Sequence, residues 1–142
     1  MRTLQTMTGK PSFAQSQEMV FPEHCNHYGT LFAGQALALL SKAAFVAAAQ
    51  CAQQSVVMAA VSGVQFLRPV PQGSLLTLRA WVTRVGSSSM SVRVQGSSAP
   101  LAQSPATLTV VLEGLFEMVA VDAAGKPQSI APSFVVDGVF PT

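Results

Sequence analysis

Between Glu23 and Lys42 the sequence EHCNHYGTLFAGQALALLSK places an amide side chain, Asn26, three residues before Gly29 and eight before Gly34, where an Ala-rich stretch begins. If that stretch is a helix, the backbone N–H groups of Ala33 and Gly34 are first-turn donors without intrahelical partners, at the positive end of the helix dipole. Donors placed there stabilise an oxygen that gains negative charge, as a carbonyl does under attack. Asn26 offers a donor and an acceptor, so it can hold the carbonyl or orient a water. The plainer reading makes Asn26 a turn residue and leaves Gly29 and Gly34 to relieve crowding.

Seven residues beyond Gly34, a helix returns to nearly the same face, about 10 Å along its axis. A general base there would face the same site, but the residue is Ser41, a poor base with no evident partner to make it a nucleophile. Lys42 sits about 100° round the helix, a strained placement for a Ser–Lys dyad. The Ser41 hydroxyl is expected to bond back to a helix carbonyl or to water. His24, Cys25 and His27 crowd into four residues with no second cluster at a zinc-like spacing, so no metal is expected. A Cys25 nucleophile would need a neighbouring His whose side chain diverges from it on an extended loop.

The elements that must position these groups read as follows. Ala33 to Ala52 is Ala- and Leu-rich, with Gly34 its one helix breaker, and predicts a helix of five turns. Its alanines let a packing partner approach closely, as a wrapped sheet would. Ser55 to Arg68 is β-branched, with a bulge or bend expected at Gly63, and ends at Pro69 and Pro71. Ser74–Val85 and Ser89–Gln95 alternate across the turn Gly86–Ser87 and predict a hairpin. Gly96–Pro105 predicts a loop, and Thr107–Val121 a further strand with a bend at Gly114. One early strand, a long helix and an antiparallel meander make an α+β layer architecture with the helix on one face of a curved sheet.

At 142 residues the chain is expected to form one domain, with residues 1–12 a flexible N-terminal arm and 129–142 an irregular C-terminal tail. With 10% of residues charged and 49% hydrophobic, it is apolar enough to be expected to hide surface in a homo-oligomer, at least a dimer. Eight basic residues spread thinly give no run to track a nucleic-acid backbone, though scattered arginines suit a small anionic ligand. Two cysteines make no disulfide framework, and the N-terminus lacks the apolar core of a secretory signal, so the cytoplasm is the expected compartment. Leu31–Ala49 approaches membrane-spanning length, but Gln35, Ser41 and Lys42 interrupt it, and a buried helix with no membrane partner is expected.

Taken together, N-x-x-G-x-x-F-x-G at Asn26, Gly29, Phe32 and Gly34, V-x-G-V-x-F-L-R-P-V at Val61–Val70, Gln72-Gly73, and F-E-M-V-A-V-D-A-A-G-K-P at Phe116–Pro127 resemble the hotdog-fold acyl-CoA thioesterases. Four weak motifs in register say more than any one of them. The resemblance implies an antiparallel sheet wrapped around one central helix and hydrolysis of acyl-CoA thioesters. Coenzyme A would enter as part of the substrate, with no separate cofactor. It also implies two subunits paired edge to edge, in a dimer, tetramer or hexamer, with sites at the interface.

By the same resemblance Asn26 and the N–H groups of Ala33 and Gly34 hold the thioester, and a carboxylate on the partner's helix acts as base or nucleophile. That position is Ser41, and none of the six acids lies on the helix. Glu23 could be recruited instead, a polar set of Asn26, Gln35 and Ser41 could activate water, or the protein could bind acyl-CoA without hydrolysing it efficiently. For the coenzyme, Arg68 and the turn Ser87, Ser88 and Ser89 are the expected contacts, with Arg84 and Arg93 as alternatives. Gly29, Leu31 and Phe32 complete the substrate set, and Leu31, Phe32 and Phe45 fit either an acyl channel or the core.

Overall fold

The structure, a computed structural model, describes residues 13–102 and 108–131. The expected N-terminal arm, Thr107 and most of the C-terminal tail lie outside the described residues. Five strands and one long helix follow in the order β1 (Phe13–Met19), α1 (Ala33–Ala52), β2 (Val56–Phe66), β3 (Ser74–Val85), β4 (Ser89–Pro100) and β5 (Thr109–Ala120). A single 3-10 turn, Pro22–His24, precedes the loop that leads into α1. The strands form one antiparallel sheet in the order β1-β3-β4-β5-β2, so β1 and β2 are its edges.

Alternation decides which side of the sheet the helix covers. In β3, β4 and β5 the residues Leu76, Leu78, Ala80, Val82, Met90, Val92, Val94, Phe116 and Met118 are essentially inaccessible. They meet Ala36, Leu40, Ala43, Ala44, Ala47, Ala48 and Cys51, the buried stripe of α1. Small residues on that stripe let the helix axis sit close to the sheet, and Leu40 is its one large buried side chain. Leu40→Ala is therefore expected to destabilise the protein by about 2–5 kcal/mol, the range for emptying a packed leucine site. Urea unfolding at matched protein concentration measures it, and a loss well under 1 kcal/mol would mean that the helix repacks freely.

The helix spans the predicted residues, and Gln53 closes it in the left-handed region (φ 57°) with its N–H donated to the Ala49 carbonyl. Gly63 marks a bulge, as expected: its φ is +59° and the β2–β5 register shifts between Ser62 and Gln65. One expectation fails. The segment from Gly96 is not a loop as far as Pro100 but the second half of β4, paired with β3 through Pro100 and with β5 through Ser98. Its Ser- and Ala-rich composition hid a strand held by both neighbours, where partners rather than propensity decide. Gly114 pairs in register with Val94 on one side and lies opposite the β2 bulge on the other, and the missing side chain makes room for the Phe116 ring and Val64. A second irregularity falls at Val111, whose carbonyl accepts the N–H groups of both Leu67 and Arg68.

Candidate functional site

Asn26 is held by a short, closed loop. Its backbone N–H donates to the Thr30 carbonyl (2.8 Å) and its own carbonyl accepts from Gly29 (3.0 Å), a turn that needs the positive φ of Gly29 (+79°). The Leu31 N–H donates to the Val70 carbonyl (2.8 Å) and the Gln72 N–H to the Gly29 carbonyl (3.0 Å), which zips this loop onto the segment after β2. The Asn26 side chain is fully committed on one side. Oδ1 accepts from Tyr28 N–H (2.9 Å), Thr30 N–H (3.2 Å) and the Thr30 hydroxyl (3.2 Å). Two backbone donors fix the amide's orientation, so Nδ2 is left facing outward with no acceptor among the described residues.

Next to this amide, α1 begins without a side-chain cap: Phe32 occupies the capping position, and the first intrahelical bond runs from Ala36 N–H to the Phe32 carbonyl. The N–H groups of Ala33, Gly34 and Gln35 consequently stay open at the positive end of the helix. The Phe32 ring lies over Gly34, where an added Cβ would stand 2.8 Å from it. A cavity of about 400 Å³ brings Asn26 and Ala33 together with Leu31, Ala36, Phe66, Arg68 and Leu112. Donors and apolar wall thus meet in one place. The Arg68 guanidinium lines it with no acceptor among the described residues.

Gln35 does not join this group. It lies on the β1 side of the helix, lining a cavity of about 110 Å³ with Glu18, His24, Leu39 and Lys42. Because Leu39 and Lys42 turn toward β1, the 100° spacing puts Ser41 on the opposite flank, toward β2. The expected polar set of Asn26, Gln35 and Ser41 is therefore divided between two sides of α1 within one subunit. Ser41 donates its hydroxyl to the Leu37 carbonyl (2.8 Å), the back-bond expected of it. Glu23 is exposed on the 3-10 turn and lines none of these cavities.

Ser87, Ser88 and Ser89 form the β3–β4 turn, but far from Arg68. Ser89 pairs with Val119, seven residues along β5 from Leu112, which pairs with Phe66. At about 3.3 Å per residue that separation is roughly 23 Å. The two expected coenzyme contacts therefore stand at separate places on the sheet within a subunit. Arg84, an alternative contact, is engaged with Glu117 (3.3 Å) and Ser91 (3.0 Å). Phe32 and Phe45 are not core residues: they are 54% and 38% exposed, and Leu31 is half-buried. Thr30, Phe66 and Leu112 were missed as contributors. The Asn-x-x-x-Thr spacing of an Asx turn signals the first, and the Phe-Leu-Arg-Pro segment the second; Leu112 has no local signal. Among the described residues no three His, Cys, Asp or Glu side chains are grouped to hold a metal ion.

A helix clasped by a five-stranded antiparallel sheet, with an amide loop at the helix start, defines the hotdog architecture, and the comparisons with known proteins agree. Residues 28–103 match the thioesterase superfamily model, and the chain belongs to that family. An uncharacterized acyl-CoA thioester hydrolase of Bacillus subtilis, YkhA, is 32% identical over 127 residues, which cover 89% of this chain and 73% of that protein. A hexameric acyl-CoA thioesterase in its apo form superposes with a TM-score of 0.80 at 34% identity, covering 84% of this chain and 76% of the other. The acyl-CoA hydrolase of Staphylococcus aureus, in complex with butyryl coenzyme A and coenzyme A, gives a TM-score of 0.75 at 31% identity over 84% of this chain and 70% of that one.

Proposed function

We propose that the protein hydrolyses acyl-CoA thioesters, with the carbonyl oxygen held by Asn26 Nδ2 and the open N–H groups at the start of α1. The observation that carries this reading is the saturated Oδ1 of Asn26, which leaves the amide only a donor to offer. A donor polarises a carbonyl; it does not accept a proton from water. Water then attacks the carbonyl carbon, negative charge gathers on the oxygen facing these donors, and the C–S bond breaks as the carbonyl reforms; the proton released by the attacking water passes through solvent to the departing thiolate of coenzyme A. Leu31 and Phe32 bound the acyl side, and Gly29 gives the loop its turn.

The chain is proposed to act as a homodimer or a larger assembly, because one edge of the sheet is built for a partner. On β1 the edge carries Gln15, Ser16, Gln17 and Glu18 with one exposed large apolar residue, Phe13, whereas β2 exposes Val57, Val61 and Phe66, followed by Leu67. Beside β2 lies the helix flank of Leu37 and Phe45, both exposed, with half-buried Ser41 between them. A second copy seated there would bring its own Ser41 toward the site. The hydroxyl already donates to Leu37, so it can only accept from a water.

A general base contributes about 10²–10⁴-fold to such reactions. Ser41→Asp, which restores a carboxylate at the position the family resemblance reserves for it, is expected to raise thiol release by about tenfold or more. If wild type turns over rapidly and Ser41→Asp is inert, another group is the base. If wild type binds coenzyme A and hydrolyses no acyl-CoA in a panel of chain lengths, the second reading holds: an acyl-CoA binder, which the Ser41–Leu37 bond in place of a carboxylate favours.

A further inference from the structure

We propose that the flank of α1 facing β1 carries a second binding site, which takes a free apolar α-amino acid. Its carboxylate would meet Lys42, its ammonium Glu18, and its side chain the hollow between β1 and the helix. Helix phase builds the groove. Gln35, Lys42 and Val46 share one flank of α1, and Ala14 and Glu18, an even number of residues apart on β1, face that flank. Two hollows open there, of about 110 Å³ and about 220 Å³. Glu18 and Lys42 line both, so the hollows join into one groove with the two charges at the junction. Leu31 lines the smaller hollow and the Asn26 cavity alike and stands as the wall between them. The groove is thus separate from the carbonyl site, and its ligand need not be a thioester.

Charge decides the occupant. Glu18 and Lys42 belong to different elements, and among the described residues neither has an ion-pair or hydrogen-bond partner, each other included. An anion alone would be drawn to the Lys42 ammonium and repelled by Glu18, and a cation alone would meet the reverse. A zwitterion satisfies both. The smaller hollow adds donors to the Lys42 side. His24 Nδ1 accepts from the Phe21 N–H (3.3 Å), so the ring carries its proton on Nε2, and the Gln35 amide lines the same hollow. Those donors suit a carboxylate.

The larger hollow is apolar where it leaves the charges, with walls from Ala14, Ala43 and Val46. Val46 is 45% exposed, and an aliphatic side chain laid over it would take that surface out of water. Each hollow is smaller than the roughly 300–1,000 Å³ of pockets that hold drug-sized ligands, which keeps the ligand at amino-acid size.

Calorimetric titration of the full chain with L-leucine tests the site, with 4-methylpentanoate and 3-methylbutylamine as probes that lack the ammonium and the carboxylate in turn. Leucine is expected to bind, each single-charge probe to bind about threefold or more weaker, and glycine, which lacks the side chain, about tenfold or more weaker. Glu18→Gln and Lys42→Met are each expected to weaken leucine binding by about threefold or more. Both side chains are exposed, so the thermal midpoint should stay where it is. Saturating coenzyme A is expected to leave leucine binding unchanged. No binding of leucine, or binding that both variants leave intact, overturns the proposal. Binding of 4-methylpentanoate as tight as that of leucine would make the groove a site for simple acids, and displacement by coenzyme A would put leucine in the Asn26 cavity. Either result overturns it as well.

Discussion

Asn26→Asp is expected to lower kcat for thioester hydrolysis by about 10²–10³-fold, with KM little changed, while the protein stays as stable as the parent. The reason is the division of labour within one side chain. A carboxylate keeps the oxygen that accepts from Tyr28 N–H, Thr30 N–H and the Thr30 hydroxyl, so the loop retains its shape. It loses the Nδ2 donor and sets a negative charge where the oxyanion must form. Asn26→Ala removes donor and acceptor together. It is expected to match the loss in kcat and also to cost about 1–3 kcal/mol of stability through the three loop bonds. Comparing thermal midpoints and thiol-release rates of the two variants separates catalysis from loop support. Full activity in Asn26→Asp would reduce Asn26 to a turn residue and remove it from the mechanism.

How much of this site could be read from the sequence depends on which contacts are local. The helix at Ala33–Ala52, the Gly63 bulge and the Asn26–Gly29 turn are set by residues within a few positions of one another, and propensity and φ requirements reveal them. The second half of β4 was illegible because Gly96–Pro100 is a strand only by virtue of its neighbours β3 and β5. The direction of the Asn26 amide was equally hidden. Sequence offers a donor and an acceptor, and only the folded loop shows which one is consumed. Gln35 and Ser87–Ser89 illustrate a third limit: order along the chain suggests a shared site, while helix phase and strand register set each of them apart from Asn26 and Arg68. Arg68, by contrast, reaches the Asn26 cavity because Leu31 pairs with Val70, a contact between loops 39 residues apart that no local pattern encodes.

The β2 edge carries the second large expectation. Val61→Lys should convert the assembly to monomers and abolish most turnover. Val61 pairs with Phe116 and so faces the helix side of the sheet, beside the flank of Leu37, Ser41 and Phe45. It is 40% exposed in the isolated subunit, and Val57, Phe66 and Leu67 are exposed to a similar degree. An edge strand with such a surface invites pairing through its open N–H and C=O groups, and Lys is the residue by which edges are commonly kept apart. In a two-fold pair each copy would bring one ammonium into the apolar seam, where an unpaired charge is not tolerated. Ser16→Lys on the polar β1 edge is the control and is expected to leave the mass unchanged. Light scattering coupled to size exclusion reads the mass, and thiol release reads the turnover. The two should fall together if, as proposed, a second copy completes the open side of the Asn26 cavity and meets the flank bearing Ser41. A Val61→Lys protein of native mass would place the interface elsewhere, and a fully active monomer would show that one subunit holds the whole site.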